Sequence, residues 1–324
     1  NVAVGHGALN AAASAENVAV GYNAGSSTTS SGANTYIGYQ AGTANTTGQN
    51  TAIGHNALSL NQTGTGNTAI GMKAMDANVD GDNNVAIGEQ ALGNMDPSGN
   101  VDMYNVAVGY QASLGCTTGI KNVSVGGDAL FSDDTGSASV AIGYKALYAQ
   151  NPSGAQDMVN TAVGWQAGMG LTTGSRNTLI GAAAGDTITT GENNTVIGRG
   201  SDVAANSDNL SIVIGSGAVG EGTASTVIGS SSTTKARVFG LRTPVTATTA
   251  DTTLTANDSG ETFVFNDAAA TFTLPDSGGG DLTGVYFHFI VLDDTAGTKR
   301  IQCADSTNED LIGSVMTVDT DSSD

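Results

Sequence analysis

Large side chains are what this chain has least of. Phe, Trp and Tyr make up 5% of it, with a single Trp, and Pro occurs four times. A thick hydrophobic core needs such bulk to reach normal packing density, so the walls of the fold must lie close together. Two cysteines, Cys116 and Cys303, are too few and too far apart in sequence for a disulfide framework. The three histidines, His6, His55 and His288, do not stand at metal-ligand spacing, and His288 lies in an aromatic strand where a hydrogen-bonded structural role is expected. Basic residues number 10 against 30 acidic ones, a net charge of −20. Nucleic acid and anionic membranes both require a basic surface, so neither is expected as a partner. The negative charge reads as solubility and mutual repulsion between particles. No apolar run approaches the ~20 residues needed to cross a bilayer, and membrane insertion is not expected.

What the chain does have is glycine, 46 residues of it, at fixed places in a repeat. Asn105 to Ala112 reads N-V-A-V-G-Y-Q-A. Counting Asn or Ser, two residues, Val or Ile, then Gly gives fourteen copies, starting at Asn1, Asn17, Asn34, Asn50, Asn67, Asn84, Asn105, Asn122, Ser139, Asn160, Asn177, Asn194, Ser211 and Ser225. Spacings are 16 or 17 residues, with two of 21 and a last one of 14. A fixed period of this size marks a solenoid and argues against disorder.

Number each copy from 0. Position 3 is Val or Ile throughout: Val4, Val20, Ile37, Ile53, Ile70, Ile87, Val108, Val125, Ile142, Val163, Ile180, Ile197, Ile214 and Ile228. Position 1 is Val, Ile or Thr and shares a strand face with position 3, because side chains alternate. Position 2 is mostly Ala, so the opposite face tolerates little volume. Position 4 is always Gly, which suggests positive φ or a close neighbour. Position 7 is mostly Ala, and T-T-G turns such as Thr46 to Gly48 follow. Each coil is therefore one short strand, a Gly bend, a second short apolar element and a polar loop. The position-3 residues from Ile53 to Ile228 are expected to form the structural core. Coils this thin should stack into a parallel β-roll and bury a face against other copies, with a trimer about one axis as the closed arrangement. Fourteen coils at about 4.8 Å give a rod of about 65 Å.

Three coils also repeat together, since Asn50, Asn105 and Asn160 are each 55 residues apart. The two long spacings carry matching insertions, Asn94–Tyr104 and Ala149–Val159. Pro97, Ser98, Gly99, Asp102 and Met103 align with Pro152, Ser153, Gly154, Asp157 and Met158. Insertions in a solenoid fall in loops along one edge. Asp96, Asp102, Tyr104, Asn151 and Asp157 are candidate contacts there, for a receptor or a neighbouring fibre; the alternative is that the loops cap seams between chains.

The motif N-x-A-[IV]-G-x-x-A resembles the head repeat of trimeric autotransporter adhesins (YadA-like heads), which also occurs in fibre proteins of tailed bacteriophages. The resemblance covers residues 1 to 235. It implies a left-handed parallel β-roll trimer that holds an adhesive surface away from a cell or virion.

Residues 1–229 are thus read as the all-β solenoid. Residues 230–243 break the period and carry Arg237, Phe239, Leu241 and Arg242, read as a neck that plugs the trimer axis, or else as an ordinary solvated linker. In residues 244–324 the segments Thr262–Phe265, Ala270–Pro275, Val285–Leu292, Arg300–Ala304 and Ser314–Val318 read as strands of a small antiparallel, sandwich-like β-domain. The chain opens inside a repeat and stops inside S-S-D, so a piece of a longer protein is expected, with this domain incomplete. The phrasing T-L-T-A-N-D-S-G-E-T-F-V-F resembles terminal domains of phage virion proteins, and no heptads or membrane-barrel strands appear as an autotransporter anchor would require.

Catalytic signatures are lacking. There is no G-x-S-x-G, no phosphate-cradling Gly loop before a helix, and no recurring calcium repeat. The acidic pairs Asp133-Asp134, Asp293-Asp294 and Asp80/Asp82 would hold Ca²⁺ weakly at best, against a reading as solvated loop charge. No cofactor, metal or catalytic residue is expected. Trp165 follows its repeat Gly at the place held elsewhere by Tyr22, Tyr39, Tyr110 and Tyr144. A ladder of exposed rings beside polar loops suits sugar stacking; the alternative is that the rings cover a seam between chains. The expectation is a non-enzymatic, homotrimeric fibre of a tailed phage, contacting other virion proteins and a glycan or protein receptor of a bacterial host from the virion surface. The alternative is the passenger segment of a bacterial surface adhesin. A polysaccharide-cleaving tailspike would need two carboxylates some 5–10 Å apart in a groove, and the period places none. Ice binding would need a regular Thr face, which position 1 breaks with Val.

Overall fold

A computed structural model describes residues 1–232 apart from 13, 30 and 31, and, beyond those, the six strands Val245–Thr248, Thr252–Thr253, Thr262–Phe265, Thr271–Leu274, His288–Val291 and Arg300–Cys303. The chain divides into two compact units, Asn1–Ala236 and Arg237–Asp324. The proposed neck residues Arg237, Phe239, Leu241 and Arg242 lie outside the described residues, as do both Asp293-Asp294 and the expected strand Ser314–Val318.

The first unit is a parallel β-solenoid of about 13 turns, with no helix among its described residues. Every copy of the motif contributes a three-residue strand to one 14-stranded parallel sheet in sequence order. Register never slips: Val2 pairs with Val18, Val140 with Thr161, and Ile212 with Thr226, so each position of the motif stacks on itself. At about 4.8 Å per rung the sheet is about 60 Å long. The turns are hydrogen-bonded along the same axis, as in Gly21 N–H to Val4 O at 2.8 Å and Asn23 N–H to His6 O at 2.9 Å.

The alternation holds, but the interior is on the small side. Position 2 points inward: Ala52, Ala69, Ala86, Ala107, Ala141 and Ala162 are fully buried, facing Ala57, Ala74, Ala91, Ala112, Ala146 and Ala167 of position 7. The position-3 residues assigned to the core point the other way. Ile53, Ile70, Val108, Val125, Val163, Ile197 and Ile214 are half-buried, while Ile87, Ile142, Ile180 and Ile228 are exposed on the outer face of the sheet. The reason is steric. Where positions 2 and 7 face each other the walls lie close and small groups predominate, while the larger interior side chains Leu58, Met75, Leu92, Leu130 and Leu147 come from position 8; the branched position-3 side chains are on the opposite face of the strand.

Where the interior departs from Ala, a neighbour shrinks to match. Tyr36, fully buried, lies between Gly25 and Gly42, where a Cβ on either glycine would run into its ring. Burial pushes the Tyr36 hydroxyl up to about 12, and Asn45 donates a hydrogen bond to it. Leu179 is accommodated in the same way by Gly168 and Gly185. The hydrophobic interior runs from Leu9 to Cys116 and again from Ala129 to Ala218, and between these runs Ser113 Oγ and Ser124 Oγ are hydrogen-bonded at 2.9 Å.

Position 0 forms an internal asparagine ladder. Wherever position 0 of the preceding coil is Asn, the backbone N–H of the next position 0 donates to its Oδ1, as in Asn50 to Asn34, Asn67 to Asn50 and Asn122 to Asn105, each at 2.9 Å. The side-chain amide then donates to the carbonyl fourteen residues on, as in Asn67 to Gly81, Asn105 to Gly119 and Asn177 to Gly191, each at 2.8 Å. One Asn thus ties its own loop closed and receives the next coil. At position 4, Gly143 has φ +133°, and a Cβ there would collide with the carbonyl oxygen of Gly164 in the next coil, so both conformation and stacking demand glycine.

Four of the six described strands of the second unit fall within segments read as strands, Val245–Thr248 and Thr252–Thr253 were not anticipated, and the pairing is parallel. Val245–Thr248, Thr262–Phe265 and His288–Val291 form one three-stranded sheet, and Thr252–Thr253, Thr271–Leu274 and Arg300–Cys303 another. Successive strands alternate between the two sheets. Each sheet therefore receives every second strand in the same direction, which corrects the antiparallel expectation.

Candidate functional site

Immediately after the strand, the position-4 glycine turns the chain and presents the side chain of position 5 outward. Stacking of coils converts that one position into a column. At one end His6, Tyr22, Tyr39 and His55 stack with ring centroids 5.3, 5.3 and 5.1 Å apart and planes within 11°, 10° and 9°. Rings on a strand-spaced scaffold are held face to face by the backbone repeat itself. The column continues through Met72, Glu89, Tyr110, Gly127, Tyr144, Trp165, Ala182, Arg199 and Ser216. Tyr110, Tyr144 and Trp165 are 52%, 46% and 53% exposed. Exposed rings therefore share this register, stacked on one another from His6 to His55 and interrupted by Gly127 between Tyr110 and Tyr144. Phe131 and Tyr148 add a further stacked pair at 5.1 Å. Lys145 Nζ lies 5.3 Å from the Tyr144 ring centroid and 5.1 Å from that of Tyr148, at cation–π distance from both.

The two insertions are built alike. Each carries a two-residue strand, Val101–Asp102 or Gln156–Asp157, which pairs in parallel with Gly81–Asp82 or Gly136–Ser137 of the coil before it. Pro97, Met103, Pro152 and Met158 are buried and pin the loops down. Asp96, Asp102, Tyr104, Asn151 and Asp157 are exposed. Asp102 accepts a hydrogen bond from Asn83 Nδ2 at 2.5 Å, and its bond to Tyr104 raises the pKa of that phenol. At the tips, Gly99 and Gly154 meet nothing within 4 Å of where a Cβ would stand. These residues belong to the loops that return to position 0, whereas Tyr110, Tyr144 and Trp165 belong to the glycine bend.

The acidic pairs among the described residues are engaged by the protein itself. Asp82 Oδ1 accepts from Thr65 N–H at 2.5 Å and Thr65 Oγ1 at 3.2 Å. Asp134 accepts from Thr117 Oγ1. Asp133, 2% exposed, accepts from Gly136 N–H at 2.8 Å and from Gln150 Nε2 at 2.6 Å. Burial pushes its carboxyl up to about 6 despite those bonds. Among the described residues no group of three His, Cys, Asp or Glu is placed to hold a metal ion. Cys116, 1% exposed, donates to Gly119 O, and burial together with the nearby Asp133 pushes its thiol up to about 12. No helix among the described residues is long and apolar enough to cross a membrane.

Two features of this surface escaped the reading of the sequence. Arg199 stands in the column two coils beyond Trp165, and the sequence signal was available in its position-5 register. The buried Asp133–Gln150 pair stands in one register on successive coils, 17 residues apart, so the period itself was the signal that could have found it. Compared with known proteins, the chain matches no family model and no curated sequence.

Proposed function

We propose that the chain is the shaft and adhesive surface of a non-enzymatic, homotrimeric fibre on the virion of a tailed bacteriophage. The observation that carries this reading is the outer face of the 14-stranded sheet. Positions 1 and 3 line it with Val, Ile and Thr along its whole length, and Val4, Ile37, Ile87, Ile142, Ile180 and Ile228 are 57%, 39%, 38%, 39%, 39% and 50% exposed in the single chain. A continuous apolar ribbon of this kind marks an association surface. Three copies arranged about an axis bury three ribbons at once and leave the glycine bends and insertion loops outside. The resemblance of the repeat to YadA-like heads supports the same stoichiometry and a left-handed coil.

Adhesion rather than catalysis is supported by the stacked exposed rings and the projecting loops. Virion over bacterial surface is supported by the sequence of the second unit, whose T-L-T-A-N-D-S-G-E-T-F-V-F stretch resembles phage terminal domains. Other virion proteins and a glycan or protein receptor on a bacterial host are the partners in this reading. Sedimentation velocity on the purified chain tests the assembly, with a species of three chains expected and a folded, monodisperse monomer refuting it. Antibody against residues 1–229 tests the location by electron microscopy. Decoration of phage particles is expected, and decoration of bacterial cells alone would favour the adhesin.

A further inference from the structure

The position-5 column contains a built recess. Between Trp165 and Arg199 the intervening coil offers only Ala182, so one rung of the column is missing its side chain. The result is an open notch of about 400 Å³, with Trp165 on one wall, Ala182 on the floor, and Arg199, Gly200, Ser216 and Gly217 on the other side. It spans four coils, about 14 Å along the axis. None of its lining residues belongs to the strands of the sheet, so it stays off the apolar ribbon.

We propose that this notch binds a carboxylated pyranose, a hexuronate unit of an acidic surface polysaccharide. The inference rests on the adhesive-fibre reading and assigns it a subsite. Trp165, 53% exposed, offers a ring face, the surface on which the C–H face of a sugar stacks. The neighbouring coil has no side chain beyond Cβ, so a flat ring enters where a Tyr or His ring would stand in the continuous stack from His6 to His55. Arg199 is exposed and forms no ion pair among the described residues, where the one salt bridge joins Arg176 to Glu192. A guanidinium fork matches a carboxylate with two parallel N–H···O bonds. In a chain of net charge −20 a cation left facing an empty recess selects an anion that the rest of the surface repels. Ser216 Oγ, whose hydrogen goes to Arg199 O at 3.4 Å, keeps lone pairs that can accept from sugar hydroxyls.

The sole tryptophan makes occupancy directly readable. Trp165 fluorescence of the full chain would be titrated with tetragalacturonate, with its neutral methyl ester, and with sulfated maltotetraose. The expected result is a saturable change with tetragalacturonate, at least about tenfold weaker with the other two. Arg199→Gln should remove the preference for the free acid, and Arg199→Lys should restore part of it. Trp165→Ala should abolish binding and Trp165→Phe should keep it, both followed by calorimetry. The proposal is overturned by no saturable change at about 10 mM tetragalacturonate, by equal responses to acid and ester, by equal response to the sulfated sugar, or by an unchanged Arg199→Gln titration. Sedimentation of the same samples separates the two readings. A trimer that fails the titration overturns the notch alone, whereas a folded monomer overturns the fibre reading whatever it binds.

Discussion

Removing one rung of the asparagine ladder should cost far more than its size suggests. Asn177 is 1% exposed. Its Nδ2 donates to Gly191 O at 2.8 Å, and its Oδ1 accepts the backbone N–H of Asn194 at 2.9 Å. Asn177→Ala leaves the Gly191 carbonyl and the Asn194 amide both buried and both without those partners. Each such group costs about 1–3 kcal/mol, so the loss should be about 2–6 kcal/mol, nearer the lower value if a water enters the space. Chemical denaturation of the full chain measures the total. Hydrogen exchange at the Asn194 amide measures the local part, and its protection should fall most. Asn206→Ala, an exposed Asn in the following coil, is the control and should change stability by no more than about 0.5 kcal/mol. The chain contains its own version of the experiment. Ser139 has no Oδ1 to offer the next coil, and there Gln150 steps in, donating to Ser139 Oγ at 3.1 Å and accepting Asn160 Nδ2 at 2.8 Å. If Asn177→Ala unfolds like the control and the Asn194 amide stays protected, the ladder is not what holds successive coils in register.

Acid should stabilise the coil around Asp133. Its folded pKa of about 6 lies above the ordinary carboxyl value, so between about pH 4 and 6 the folded chain binds more protons than the unfolded one and stability falls as pH rises. The effect is on the order of 2–3 kcal/mol; Asp133→Asn should flatten the melting temperature over that window, with Asp76 and Asp186, also raised by burial, leaving a residual slope. A variant with the original slope would refute the assignment. The Cys116 thiol, pushed up to about 12 in a closed interior, should resist iodoacetamide in the native chain and react after denaturation, and native labelling at an ordinary rate would show that the interior opens. Ala141→Leu and Ile142→Asp should separate the two faces of one strand. The first overpacks the coil and should lower its stability by about 1–3 kcal/mol, while the second should spare the coil and block association in sedimentation. Equal effects of the two would mean that the faces are not distinct. Shortening the loops at Gly99 and Gly154, which touch nothing at their tips, should leave assembly intact while changing attachment, and failure to assemble would make them structural.

The period, the strands, the bends and the matched insertions could all be read from the chain, because each is written in neighbouring residues. The inward side of the strand could not. Alternation separates Ala141 from Ile142 but does not say which of them faces the other wall, and hydrophobicity alone points to the wrong one. The distance between walls decides it, and that distance is set by residues of position 7 on the far side of the coil. Strand direction in the second unit was missed for a related reason. Thr262–Phe265 and Thr271–Leu274 look like a hairpin in sequence, and only their membership of different sheets makes the pairing parallel. The asparagine ladder and the Asp133–Gln150 contact were missed because every partner lies one coil away, in a register that only the period shows.

In a solenoid the informative neighbours of a residue are therefore those 17 positions before and after it. Read down the columns, departures from the repeat are of two kinds. Some are answered inside the fold: Tyr36 is matched by Gly25 and Gly42, Leu179 by Gly168 and Gly185, and Ser139 by Gln150. These changes keep the coil filled and satisfied, and packing is a sufficient reason for them. The sequence Trp165, Ala182, Arg199 is of the other kind. All three stand at position 5 on the outside, where nothing in the coil has to shrink or reorient to receive them, and the change from ring to methyl to guanidinium leaves a notch. This departure, which packing does not require, creates a flat apolar wall and an exposed cation two rungs apart, the pair that the proposed sugar acid would complement. On the proposed adhesive-fibre reading, specificity would lie at the glycine bends of residues 165 to 217, rather than along the uniform stack that begins at His6.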